Sequence, residues 1–159
     1  MHFTIPFFAL LTLALAFPQD DENPNPDMML RTSDFQAYTS DATDGYANWI
    51  ACLVSDDAHT MMATCSMASN ETLYSDRTWH PCKVYASDPT IKLSFQIPAG
   101  FNEMKLKKSW ESNGMYMSGM AAQGTHWNAN DGGNATTIGS GTYYVQAEPW
   151  AFEITNISG

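Results

Sequence analysis

The chain has 159 residues, with seventeen carboxylates against seven Lys and Arg, for a formal charge of −10. Its one basic cluster, Lys105, Lys107 and Lys108, is too small for a polyanion, which argues against nucleic acid or anionic lipid as a partner. The length suits one domain with a core large enough to fold alone.

Residues 1–16 read as a signal peptide. An apolar run from Phe3 to Phe17 ends in Ala14-Leu15-Ala16, the small-x-small pattern that signal peptidase accepts. A membrane anchor is the alternative, but a span needs roughly 20 apolar residues, and this run is shorter and broken by Pro6. Residues 17–27 are acidic and proline-broken and bury almost nothing, so a disordered leader is expected. The β-barrel domain is then expected over residues 28–159.

Its elements read as short strands. The first is expected from Met28 to Tyr38. Trp49 to Val54 is a continuous apolar run, expected as a buried strand. Ile91, Leu93, Phe95 and Ile97 alternate with polar residues, the pattern of a strand with one wet face. Pro98-Ala99-Gly100 supplies a turn, and Met104, Leu106 and Trp110 continue on one parity. Lys108 breaks that parity; its stem is expected to pack while its amine snorkels to water. Asn113-Gly114 marks a second turn, with Met115 to Ala122 returning as a strand. The glycine-rich stretch from Asn128 to Gly141 is expected as a long loop or a pair of turns. Late strands are expected at Tyr143 to Val145 and Ala151 to Thr155, split by Pro149. Turn signals about every ten residues, without a helical stripe, indicate an all-β fold: a single antiparallel β-barrel or sandwich of short strands.

Three cysteines follow the signal, so one bridge can form with one thiol left over, in three possible pairings. Cys65 and Cys82 are the favoured pair, a closure worth about 3 kcal/mol by loop entropy. Cys52 lies in the apolar run. It is read as a small buried hydrophobe, with an intermolecular bridge as the alternative. His59, His80 and His126 have no metal-ligand spacing, and neither metal nor cofactor is expected.

No catalytic motif stands out. A glycosidase needs paired carboxylates across a cleft; Glu148 and Glu153 come nearest, but both fit outward strand positions better. A small nuclease would group a histidine with Glu or Arg around a phosphate; His80, Arg77 and Glu71 share one loop, but His80 fits better as a loop histidine beside the bridge. Asn70, Asn134 and Asn156 each begin a glycosylation sequon. Ten methionines either fill an irregular core or line a cavity that adapts to a hydrophobic small molecule.

Thr64-Cys65-Ser66-Met67-Ala68, then Thr78-Trp79-His80-Pro81-Cys82, then the strand Lys92 to Phe95 and the Leu106 strand after it, resemble the Alternaria major-allergen family of small secreted fungal proteins. The resemblance implies an antiparallel β-barrel, secretion and no enzymatic activity. It also implies a link to host encounter through binding of defence proteins or small aromatic ligands. Cys65 and Cys82 carry over onto the family's first intrachain bridge. Its second bridge has no counterpart, because no cysteine follows Cys82. Members that dimerise covalently use a cysteine near the mature N-terminus, whereas Cys52 sits further in.

The expected function is therefore a secreted, extracellular, non-catalytic binding or effector-like protein of fungal type, allergen-like and glycosylated. Its partner would be a host extracellular protein or a small aromatic ligand. A secreted hydrolase acting on polysaccharide or RNA is the alternative, and a structural protein of the cell wall a third.

Overall fold

Strand formation in this protein follows the places where apolar side chains alternate with polar ones. The computed structural model describes residues 26–40, 48–69, 73, 77–99, 103–125, 134–146 and 148–159. The expected signal peptide (1–16), the expected leader up to residue 25, and Asn70 and Glu71 lie outside the described residues. Pro26–Met28 forms a single 3-10 turn that leads into the first strand.

Among the described residues twelve strands follow: β1 (Met29–Ser40), β2 (Asn48–Asp56), β3 (Met61–Ser69), β4 (His80–Pro81), β5 (Lys83–Ala86), β6 (Lys92–Gln96), β7 (Glu103–Ser112), β8 (Met115–Gly124), β9 (Asn134–Ile138), β10 (Gly141–Val145), β11 (Trp150–Glu153) and β12 (Asn156–Ser158). One sheet has the order β5-β3-β2-β1-β10-β9, with β11 also paired to β1; the other has the order β12-β8-β7-β6-β4. The strand pairs are antiparallel. The all-β antiparallel expectation holds, and of its two forms the sandwich is the one adopted. The sheets do not close into the single barrel that the resemblance implied.

The two inner faces share one core. Leu30, Phe35, Ile50, Val54 and Met61 come from the first sheet and Leu93, Phe95, Met104 and Leu106 from the second. The run Trp49 to Val54 does not bury both faces equally. Along β2, Asn48, Ile50, Cys52, Val54 and Asp56 are buried, while Trp49, Ala51, Leu53 and Ser55 are half-buried on the outer face. The methionines divide: Met61 and Met104 sit in the core, and Met62, Met115 and Met120 are exposed.

Turn chemistry sets the hairpins. Asn113 and Gly114 both have positive φ, 52° and 76°, the combination a two-residue type I′ turn requires. They join β7 to β8 in unbroken register from Ser112↔Met115 to Glu103↔Gly124. The stretch expected as loop between Asn128 and Gly141 contains a strand instead. Asn134–Ile138 pairs along its whole length with β10 across a turn at Gly139-Ser140. This strand is an exposed edge, so it shows no apolar face for periodicity to detect.

β1 is irregular. Its register against β2 shifts between Ser33 and Gln36, and Asp34 adopts φ 52°. On its other side β11 pairs with Met29–Thr32 and β10 with Gln36–Ser40. Gln146 fills the break. Its Oε1 accepts from Phe35 N at 3.1 Å, and its Nε2 donates to Thr32 O at 2.9 Å. A side-chain amide thus replaces the ladder bonds that the bulge interrupts.

Candidate functional site

The alternation of β7 turns Met104, Leu106, Lys108 and Trp110 inward. Lys108 therefore faces the core, and its amine does not reach water as a snorkelling chain would: the residue is 3% exposed. Its Nζ donates to Asp27 O at 2.8 Å and lies 3.7 Å from Asp56 Oδ2. A buried ammonium is costly unless paired and hydrogen-bonded, and the fold supplies both partners from distant parts of the chain.

Asp56 ends β2 and is held by the turn that follows. Its Oδ1 accepts from Thr60 N at 2.8 Å and Met61 N at 3.1 Å, and its Oδ2 accepts from Thr60 Oγ1 at 2.6 Å. His59, at φ 55°, completes this turn by donating its N–H to Asp56 O. The carboxylate thus organises the β2–β3 turn and faces the cation of the opposite sheet.

A pocket of about 490 Å³ opens beside this pair. Its lining includes Lys108, Trp110, His59, Thr60, Ile91 and Asp88. Thr90 N and Thr90 Oγ1 donate to Asp88 Oδ1 at 2.8 and 2.7 Å, which holds the Asp88 carboxyl below its usual range. Thr90 Oγ1 also accepts from Glu111 N at 3.0 Å, tying the β5–β6 turn to β7. The result is a hollow with a buried cation, an indole wall and acidic groups at its rim. A second hollow of about 470 Å³ lies by Trp79, Gln96, Lys105, Met120 and Glu153.

Cys65 is bonded to Cys82, and Cys52 is a buried free thiol. The bridge joins β3 to the short link where the chain leaves β4 in one sheet and enters β5 in the other. Burial pushes the Cys52 thiol up to about 12. Asn134 begins β9, and Asn156 is exposed at the start of β12. Of the catalytic candidates, His80 lies in β4 with its ring 5.5 Å from that of Phe95. Glu148 and Glu153 are exposed. Glu71, the third member of the grouping with His80 and Arg77, falls outside the described residues. Among the described residues no three His, Cys, Asp or Glu gather as a metal site, and no helix is long and apolar enough to cross a membrane.

Sequence reasoning did not find Asp56, Thr60 or Asp27. The signal lay in Lys108, the one charge on an otherwise apolar parity, which called for a buried acceptor.

No protein-family model matches this chain, and no curated protein matches it. Among solved structures, two of the Alternaria alternata allergen Alt a 1 share its fold. One superposes with a TM-score of 0.55 at 12% identity, over 81% of this chain and 88% of the other. The second has a TM-score of 0.50 at 12% identity, over 81% and 94%. At the level of fold, the resemblance carried by Cys65, Trp79 and Cys82 is borne out.

Proposed function

We propose that this is an exported, non-catalytic binding protein whose pocket beside Lys108 and Trp110 holds a small, neutral aromatic molecule bearing an accepting oxygen. The observation that carries the reading is the pocket itself: a buried ammonium and an indole lie two residues apart on the inner face of β7. An ammonium has three N–H donors. Among the described residues, Asp27 O takes one and Asp56 faces a second, which leaves a third for a ligand oxygen. The indole offers a face for stacking. Asp27 and Asp88 at the rim favour a neutral molecule over an anion. The apolar run before Phe17 supports export, and the likeness to the Alt a 1 fold supports a role outside the cell.

Titration with a panel of hydroxylated aromatic compounds, read by tryptophan fluorescence, tests the pocket. A binder should saturate the signal in the wild type and lose most of its response in Trp110→Phe. An unchanged response in that variant would place binding elsewhere, and no saturation with any compound would end the reading. Recovery of the chain from culture medium, with Phe17 as its first residue, checks the export step.

A further inference from the structure

The register of β2 on β3 sets Cys52 directly opposite Cys65. Both side chains face the core, at 3% and 0% exposure. Directly opposed residues of an antiparallel pair have Cα atoms about 4.5–5.5 Å apart, inside the roughly 4.4–6.8 Å span that a disulfide bridges. Cys65 is at the same time bonded to Cys82. One sulfur therefore has two cysteines within bonding reach, one in its own sheet and one on the crossing between sheets. Cys82 is the outermost of the three, half-buried between β4 and β5.

We propose that Cys52, Cys65 and Cys82 form a thiol–disulfide exchange triad that delivers Cys82 as a modifiable thiol. The Cys52 thiol gives its proton to solvent hydroxide, and the thiolate attacks Cys65 Sγ. A Cys52–Cys65 bond forms as the Cys65–Cys82 bond breaks, and the electron pair leaves on Cys82 Sγ. One disulfide is exchanged for another, so no external oxidant or reductant is consumed. The new bridge lies within the β2–β3 ladder, and the crossing from β4 to β5 loses its tether. The freed Cys82 thiolate is then open to small thiol-reactive electrophiles.

Burial controls the rate. It alone raises the Cys52 thiol, with no charged group contributing. On the core face, the charged groups among the described residues are Asp56 at the end of β2 and Lys108 on β7. The thiolate is scarce at neutral pH, and its population rises about tenfold per pH unit below its pKa. The native bridge is thus locked in neutral solution and released as the medium becomes alkaline.

The test traps the native protein with iodoacetamide at several pH values over which its far-UV circular dichroism is unchanged, then maps the unreduced peptides. The expected product carries the label on Cys82 and a Cys52–Cys65 bridge. Its rate should rise about tenfold per pH unit and be independent of protein concentration. In Cys52→Ala the label on Cys82 should disappear. Label on Cys52 with Cys65–Cys82 intact, or no label at any pH, would overturn the proposal. So would a rate that scales with protein concentration, or Cys82 labelling that persists in Cys52→Ala.

Discussion

Asp56 and Lys108 lie 3.7 Å apart, one on each sheet, and neither side chain is more than 4% exposed. Their supports are unequal. Among the described residues, Asp56 accepts from Thr60 N, Thr60 Oγ1 and Met61 N, whereas Lys108 has Asp27 O alone besides its ion pair. Asp56→Ala therefore leaves a poorly compensated buried cation and disorganises the β2–β3 turn, at a cost of about 3–5 kcal/mol. Lys108→Met leaves a carboxylate that keeps three donors, at a cost of about 1–2 kcal/mol. Urea unfolding of the two variants should give midpoints in that order. The reverse order would show that the carboxylate, not the ammonium, depends on the pair.

Gln146 bridges the break in β1. Gln146→Ala removes the acceptor of Phe35 N–H and the donor to Thr32 O, costing about 1–3 kcal/mol. Gln146→Glu restores an acceptor for Phe35 but sets a carboxylate against Thr32 O, so it should not recover the loss. Amide exchange at Phe35 is the local readout and should accelerate more than exchange at Val54 in β2.

Two glycines permit close approach. A Cβ on Gly119 would meet Ile154 Cγ2, and one on Gly141 would meet the Tyr38 ring. Ile154 is buried and cannot move aside, whereas Tyr38 is half-buried and can. Gly119→Ala should cost about 1–3 kcal/mol by overpacking, and Gly141→Ala less. Thermal midpoints of the two variants decide the order.

Alkaline stability reports on Cys52. Its thiol is raised from 9.0 to about 12 in the folded chain. Above about pH 9 the unfolded chain sheds this proton while the folded chain retains it. The contribution is full below pH 9 and is lost by about 1.4 kcal/mol per pH unit as pH rises towards 12. Cys52→Ala should lose stability less steeply than the wild type over this window, in denaturant titrations read before the Cys65–Cys82 bridge exchanges.

Local rules made much of this fold legible. Ile91 to Ile97 alternates because one face of β6 packs on the core, and Asn113-Gly114 can adopt the positive φ angles its hairpin needs. β9 stayed hidden because Ala135 to Ile138 pairs through its backbone and buries no alternating face. Lys108 shows a different gap. Its position in the β7 alternation already placed it inward, but its compensation comes from Asp56 and Asp27, both distant in sequence. The same holds for the cysteines. The spacing of Cys65 and Cys82 proposes a bridge, whereas the facing of Cys52 and Cys65 exists only in the register of β2 on β3. Whether sheets close into a barrel depends on edge strands meeting, which no local pattern encodes.

β1 gains one neighbour early and the others late. β2 follows it directly, but Leu30 pairs with Phe152 and Gln36 with Val145. During synthesis, one side of β1 stays without its ladder until β10 and β11 emerge. The sandwich therefore cannot assemble strand by strand as the chain appears. Its closing step awaits the late strands, and a chain stopped before Gly141 would present a bare twelve-residue edge to its neighbours.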